Sequence, residues 1–206
     1  MNIINKYFPE LTSKQREQFD TMLRLYPEWN EKINVISRKD IDNLEVNHIL
    51  HSLALVKFVK FMPGTRVLDL GTGGGLPGLP LAAYFPSSTF HLVDRTGKKL
   101  KVAQDIATRA GLTNVSIQHG DVAEVKEKFD FVVSRAVMPL PDMVKLSRRL
   151  ISGDHFNAIP NGVLCLKGGD LERELSRYRH EALVDDISNY FKEDFFATKK
   201  IVYLPL

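Results

Sequence analysis

The sequence predicts a doubly wound, mostly parallel α/β sheet, and two observations carry that expectation. From Thr65 onward, short apolar runs alternate with helical stretches at the pitch of strand–helix–strand units. Between the first run and the first of those stretches lie Gly71, Gly73, Gly74 and Gly75, a turn through which backbone and ligand can approach closely. A chain of 206 residues buries roughly 70% of its unfolded surface on folding, so one core suffices without disulfides or metals.

Residues 1–63 read as a helical appendage, and residues 64–206 as one compact unit. Thr12-Ser-Lys-Gln15 has the capping-box form, a hydroxyl residue followed three places later by Gln. Phe19, Met22, Leu23 and Tyr26 then repeat at helical spacing, with Pro27 expected to end that helix or begin the next. Trp29, Ile33 and Ile36 continue a short apolar stripe. A second helical segment, Asp40 to Phe61, stops at Pro63-Gly64. These residues are too poor in apolar side chains for a core of their own.

Arg66–Leu70 is the first strand and runs straight into the glycines, with a helical stretch from Leu79 to Tyr84 behind them. Phe90–Asp94 is the second strand, and Lys98–Ala110 a helix ending at Gly111. Val115–Gln118 and Phe129–Val133 follow as strands, then a helix over Met143–Leu150. Gly162–Lys167 is the fifth strand, and Asp170–His180 a helix. Lys199–Tyr203 is expected as a last strand, paired with one around Ile187–Phe191, making seven in all.

Hydrophobic residues at 44% and charged residues at 26% exclude a disordered chain, a collagen and a coiled-coil rod. The single cysteine, Cys165, excludes a disulfide framework or cysteine-cluster metal site; it sits in a buried strand and reads as core. Neither a membrane span nor a signal peptide is visible, the latter from Met1–Glu10, so a cytoplasmic protein is expected, with no metal and no membrane partner. Charge is nearly balanced, 28 basic against 25 acidic residues, with no basic block. Any cationic face must come from folding.

The glycine cluster points to a nucleotide-type cofactor at the carboxyl end of the first strand. The sixth position of a dinucleotide fingerprint is Leu76 rather than Gly, and no Gly-Lys-Ser/Thr phosphate loop follows. What stands instead is Asp69-x-Gly71-x-Gly73-x-Gly75, which resembles the first motif of S-adenosylmethionine-dependent methyltransferases. Asp69 is placed to accept from a cofactor amino group, directly or through water. Asp94, ending the second strand, can accept both ribose hydroxyls. Asp121, in Gly120-Asp-Val-Ala123, either accepts from the adenine amino group or sits in a plain turn.

Further segments narrow the resemblance: His48-Ile-Leu-His-Ser-Leu53, Leu76-Pro-Gly-Leu-Pro-Leu81, Ser134-Arg-Ala136 and Leu166-Lys-Gly-Gly169. With Val67–Gly75 they are similar, over roughly residues 20 to 206, to the small-subunit (16S) ribosomal RNA guanine-N7 methyltransferase family, also called glucose-inhibited division protein B. The resemblance implies a Rossmann-like class I methyltransferase fold, S-adenosylmethionine as cofactor, and 16S ribosomal RNA or the small ribosomal subunit as partner. It implies that Gly71 to Leu76 and the pair Val122-Ala123 contact the cofactor. It places Arg135 at the active site, facing cofactor and RNA. The chain departs from the family pattern at His51, where Asp is usual, and at Asp121, where Arg is frequent.

Guanine N7 has an in-plane lone pair and no proton, so its methylation needs in-line approach and no general base. Consistent with this, no Asn-Pro-Pro-Tyr motif and no catalytic cysteine pair is visible. His48 either faces the substrate or is a satisfied helical histidine. Lys167, after the fifth strand, is a further RNA candidate, and Arg148, Arg149, Lys199 and Lys200 are candidates for phosphate contacts. A monomer is expected. The competing functions are a small-molecule methyltransferase and a non-catalytic RNA-binding assembly protein on the same sheet.

Overall fold

In the computed structural model, which describes residues 3–135 and 137–206, seven strands form one sheet. They are β1 (Arg66–Leu70), β2 (Thr89–Asp94), β3 (Val115–His119), β4 (Phe131–Arg135), β5 (Gly162–Gly168), β6 (Leu183–Asp186) and β7 (Lys199–Pro205). Their spatial order is β3-β2-β1-β4-β5-β7-β6, and β7 alone runs against the rest. The chain reverses its direction of travel between β1 and β4, the position where sheets of this class open a ligand crevice. Met1 and Ala136, both within segments singled out above, lie outside the described residues.

Alternation along the strands divides the core into two layers. Val67, Phe90, Leu92, Phe131, Val133, Leu164, Leu166, Ile201 and Tyr203 face one way, and Leu68, Val93, Val132, Val163, Cys165, Val202 and Leu204 the other. The first layer is covered by α1 (Ile3–Tyr7), α2 (Ser13–Asn30), α3 (His51–Phe58), α4 (Gly78–Tyr84) and α5 (Gly97–Arg109), and the second by α6 (Leu140–Ser147) with Leu171 at the start of α7 (Glu172–Leu175). Burial pushes the Cys165 thiol up to about 12, which makes it inert core.

Helix α2 starts as its sequence specifies. The Thr12 side chain accepts from the Gln15 N–H, and the Gln15 side chain returns a bond to the Thr12 N–H. From there Phe19, Met22, Leu25 and Tyr26 are buried in the first layer. Two polar contacts fix the helix against the sheet: Tyr26 donates to the Gly74 carbonyl at 2.9 Å, and Trp29 Nε1–H to Asp105 of α5 at 2.8 Å.

Several boundaries differ from the sequence expectation. Pro27 lies inside α2 rather than at its end, in a helix that runs on to Asn30. The segment Asp40–Phe61 is divided into a 3-10 turn at Ile41–Asn43, a π-helical stretch at Glu45–Leu50, and α3. Strand β4 begins at Phe131, while Phe129 makes a separate bridge to Ile151. Helix α6 starts three residues earlier than Met143 and tightens to 3-10 at Arg148–Leu150. The helix expected over Asp170–His180 is one turn of α-helix and a 3-10 turn at Ser176–Tyr178. The partner of β7 is Leu183–Asp186, not Ile187–Phe191. The latter opens with a 3-10 turn that buries Ile187 and Phe191 together, one turn apart. Among the described residues no helix is long and apolar enough to cross a membrane.

Replacing Tyr26 by Phe keeps the ring but leaves the buried Gly74 carbonyl without its donor. Stability should fall by about 1–3 kcal/mol in urea unfolding, the usual cost of orphaning a buried acceptor. An unchanged midpoint would mean that the hydroxyl contributes nothing to docking α2.

Candidate cofactor and active site

The glycine turn leaves β1 at the switch point and is held from beneath by Asp69. This side chain is fully buried, and its Oδ2 accepts from the Thr72 hydroxyl at 2.6 Å and from the Gly78 N–H at 2.7 Å. One carboxylate thus ties the end of β1 to the turn and to the start of α4. Its other oxygen meets no hydrogen-bond partner among the described residues. Burial raises the Asp69 pKa to about 7, against the opposing pull of Thr72, Gly78 and the Arg135 charge.

Two glycines are required by shape. Gly75 has φ +101°, and a Cβ there would sit 2.5 Å from Leu79. At Gly71, with φ +70°, a Cβ would sit 2.8 Å from the Val137 methyls, so the segment after β4 lies directly over the turn.

A cavity of about 220 Å³ opens beside Gly71, walled by Leu70, Val93, Asp94, Gly120, Val122 and Met138. Asp94 presents a carboxylate to it whose Oδ2 accepts from the Gly73 N–H at 2.8 Å and Oδ1 from the Thr96 N–H at 2.7 Å. Each oxygen retains a lone pair for a further donor. A glycine bare enough for close approach, a carboxylate able to take a pair of hydroxyls, and an apolar slot at Val122 fit an adenosyl group. Among the described residues Arg95 is the one cation that lines the cavity, and it pairs with Asp121.

The second half of the site lies at the end of β4. Arg135 Nη1 donates to His48 Nδ1 at 2.9 Å, and His48 Nε2 stands 2.5 Å from Asp40 Oδ2. Burial, and then the Arg135 charge, lower the His48 pKa to about 4 despite Asp40, so its ring is neutral at physiological pH. Burial also lowers the Arg135 pKa, opposed by Tyr26, Asp69 and Asp40, and the guanidinium stays cationic.

The remaining sequence candidates are placed as follows. Leu76 is buried behind the turn. Asp121 caps the short turn Val122–Glu124 by accepting from Ala123 N–H at 2.8 Å, and pairs with Arg95; those two contacts outweigh desolvation and hold its carboxyl below the usual range. Lys167 is only 9% exposed. It pairs with Glu174 at 2.6 Å and donates to the Met138 carbonyl, while Glu174 also accepts from Leu140 N–H. Its ammonium therefore clamps the segment that lies over Gly71. His51 is buried edge-on against Phe195 and Phe196, and burial, then Arg135 and Lys199, hold its pKa well below normal. Of the phosphate candidates, Arg149 donates to the Val122 and Val125 carbonyls, Lys200 pairs with Asp186, and Lys199 lies over the Phe195 ring. Sequence reading missed Asp40, Val137 and Glu174, which carry no motif; only the fold brings them to the site.

Residues 15–202 match the family model described as rRNA small subunit methyltransferase G. Two ribosomal RNA small subunit methyltransferase G proteins are each 55% identical to the chain. The one from Bacteroides thetaiotaomicron aligns over 98% of both chains, and the one from Parabacteroides distasonis over 100% of this chain and 89% of its own. Among solved structures, precorrin-6y C5,15-methyltransferase of Geobacter metallireducens superposes with a TM-score of 0.56 at 11% identity, covering 84% of this chain and 92% of that one. Aeropyrum pernix fibrillarin, solved with natively bound S-adenosyl-L-methionine, gives 0.55 at 15% identity over 75% and 73%. At such identities these two establish the fold alone.

Asp69 has a pH signature. Unfolded, it titrates near 3.8, and folded, near 7, so between those values the native state holds the proton that the unfolded state has lost. Its contribution to stability is complete below about pH 4 and lost as pH rises towards 7. Measured as parent minus Asp69→Asn, stability should fall across that window with a slope no steeper than about 1.4 kcal/mol per pH unit. A flat difference curve would mean that the carboxyl is ionised throughout.

Proposed function

The chain belongs to the rRNA small subunit methyltransferase G family, and from that premise we propose that it methylates guanine N7 in 16S ribosomal RNA. As a family member it is an S-adenosylmethionine-dependent rRNA methyltransferase. The position methylated and the roles of individual residues are the proposal.

When bound, the cofactor supplies a methyl group on a sulfonium sulfur. Asp94 would hold the ribose hydroxyls through the free lone pairs of its carboxylate. Gly71 gives the backbone its closest approach, and Val122 flanks the adenine. Asp69 acts from beneath, by fixing the turn through Thr72 and Gly78. The clamp of Lys167 and Glu174 on Met138 and Leu140 keeps Val137 over the turn and so helps exclude water.

The observation that carries the N7 reading is the pairing of Arg135 with His48. Both ring nitrogens of His48 are engaged, one by Arg135 and one by Asp40, so the histidine has no lone pair with which to take a substrate proton. The pair therefore offers a fixed positive charge, and its histidine is no general base. That suits N7, which carries an in-plane lone pair and no proton, so that a methyl group supplied by the cofactor would be taken up with no proton to remove. Arg135, with further N–H donors beyond the one given to His48, would bond guanine O6 and leave N7 aimed at the methyl group.

Two outcomes check these roles. Asp94→Ala removes a charged acceptor from two hydroxyls, and affinity for S-adenosylmethionine measured by calorimetry should drop about tenfold or more; an unchanged dissociation constant removes Asp94 from the ribose. Arg135→Ala should lower methyl transfer to isolated small subunits by about 100-fold, the scale of a misplaced reacting group. The slope of log affinity against log salt should stay at about 2 to 4, since each phosphate contact on single-stranded RNA contributes about 0.7. A slope near zero in the parent would favour a small-molecule substrate, and transfer at the parent rate would make Arg135 an ordinary cation.

A further inference from the structure

We propose that Asp40 is a positioning residue for methyl transfer, acting through His48 to fix the orientation of the Arg135 guanidinium. The proposal rests on the reading that Arg135 faces the base. Three separate elements meet in it: the turn ahead of Ile41–Asn43, the π-helical stretch Glu45–Leu50, and the end of β4.

The chemistry of the contacts leaves one arrangement. A guanidinium can only donate, so the His48 Nδ1 that faces it carries the bare lone pair. The ring is neutral, so its one proton sits on Nε2 and points to Asp40 Oδ2, 2.5 Å away. The other tautomer would set N–H against N–H at Arg135 and lone pair against carboxylate at Asp40, and a flipped ring would turn carbon to both partners. The two ends of the ring therefore select the same state.

Asp40 is itself held at both oxygens. Asn47 Nδ2 donates to Oδ1 at 2.6 Å while His48 engages Oδ2. Two consecutive side chains thus converge on one carboxylate, on a stretch of π-helix of the kind that recurs at functional sites. The Ser52 hydroxyl donates to the His48 carbonyl at 2.7 Å and steadies the backbone one turn on. Partial burial pushes the Asp40 carboxyl up, but the bonds from Asn47 and His48 and the nearby Arg135 charge outweigh it and hold the group ionised.

The function follows from the flexibility of arginine. Its long side chain keeps many rotamers unless something anchors it, and transfer requires placement within about 1 Å. Asp69 and Asp40 bear on Arg135 through charge, and His51, which feels both Arg135 and Lys199, is a neutral ring. Among the described residues, His48 is the hydrogen-bond acceptor that orients the guanidinium, and Asp40 is what fixes His48.

The test combines kinetics on the full chain with nitrogen-15 spectra of the imidazoles. Parent protein should show His48 with a protonated Nε2 and an unprotonated Nδ1. In Asp40→Ala a population with protonated Nδ1 should appear, and kcat for methyl transfer to small subunits should fall about 10- to 100-fold. Affinity for S-adenosylmethionine and the salt slope should stay within twofold of the parent, because Asp40 touches neither the cofactor cavity nor phosphate. Asp40→Asn, whose amide oxygen still accepts from Nε2–H, should recover part of the rate, which a loss of folding alone would not predict. A protonated Nδ1 in the parent overturns the proposal, even if Asp40→Ala fails to fold. So does Asp40→Ala at the parent kcat while Arg135→Ala is impaired. If Arg135→Ala itself transfers methyl groups at the parent rate, the reading of Arg135 fails and the relay falls with it.

Discussion

A turn made of glycines has almost no side chains with which to hold its own shape, so its geometry is imposed from outside. Three side chains do this through four hydrogen bonds: Asp69 to Thr72 and Gly78 from below, Asp94 to Gly73 from the neighbouring strand, and Tyr26 to Gly74 from the helix behind. The cavity, the approach of the cofactor and the place of Val137 all depend on that frame. Two of the three anchors are carboxylates at the ends of adjacent strands, which is why the parallel register of β1 and β2 matters to the site. Asp69 and Leu92 are paired across it, and Asp94 follows two residues later.

The third anchor explains why the first 63 residues matter to the chemistry. They bury Phe19, Met22, Leu25 and Tyr26 in the same apolar layer as the sheet, and they deliver both Asp40 and His48 to the end of β4. The site is therefore shared between the amino-terminal helices and the sheet. The helices hold the turn at one point and the guanidinium at another, and distance between the two is set by packing in that single layer.

Strands β1, β4, β5 and β7 were legible in the sequence because each is an apolar run buried on both faces and flanked by turn residues. The capping box of α2 and the acid at each strand end were legible for the same reason, being local chemistry. The edge of the sheet was not. Ile187 and Phe191 are the more hydrophobic choice for a strand, yet they are buried by a turn, whereas Leu183 and Val184 pair with β7 and stay exposed. Hydrophobicity reports burial, and an edge strand need not be buried. The short α7 failed for want of packing: Leu171 is buried, but Leu175 and Tyr178 are only half-buried, and the charged residues around them are exposed or half-buried. Asp40 was invisible because Asn47 and His48 meet it only through the fold of the turn into the π-helical stretch, and a lone acid in a polar loop gives no periodic signal. Lys167 looked available from its position after β5, and only Glu174 and the Met138 carbonyl show where its ammonium goes.

Chain order and spatial order part company at β7. It is made after β6 yet lies between β5 and β6, so it supplies the hydrogen bonds of both neighbours. Synthesis proceeds from the amino end, and a nascent chain that has emerged as far as β6 still has two unpaired strand edges. It also leaves Phe58 of α3 without the Tyr203 ring that packs against it. Translation stopped shortly before Lys199 therefore yields a species whose open edges and bare aromatics are what chaperones and proteases recognise. The fold carries its own mark of completion, and that mark is the strand on which both neighbours wait.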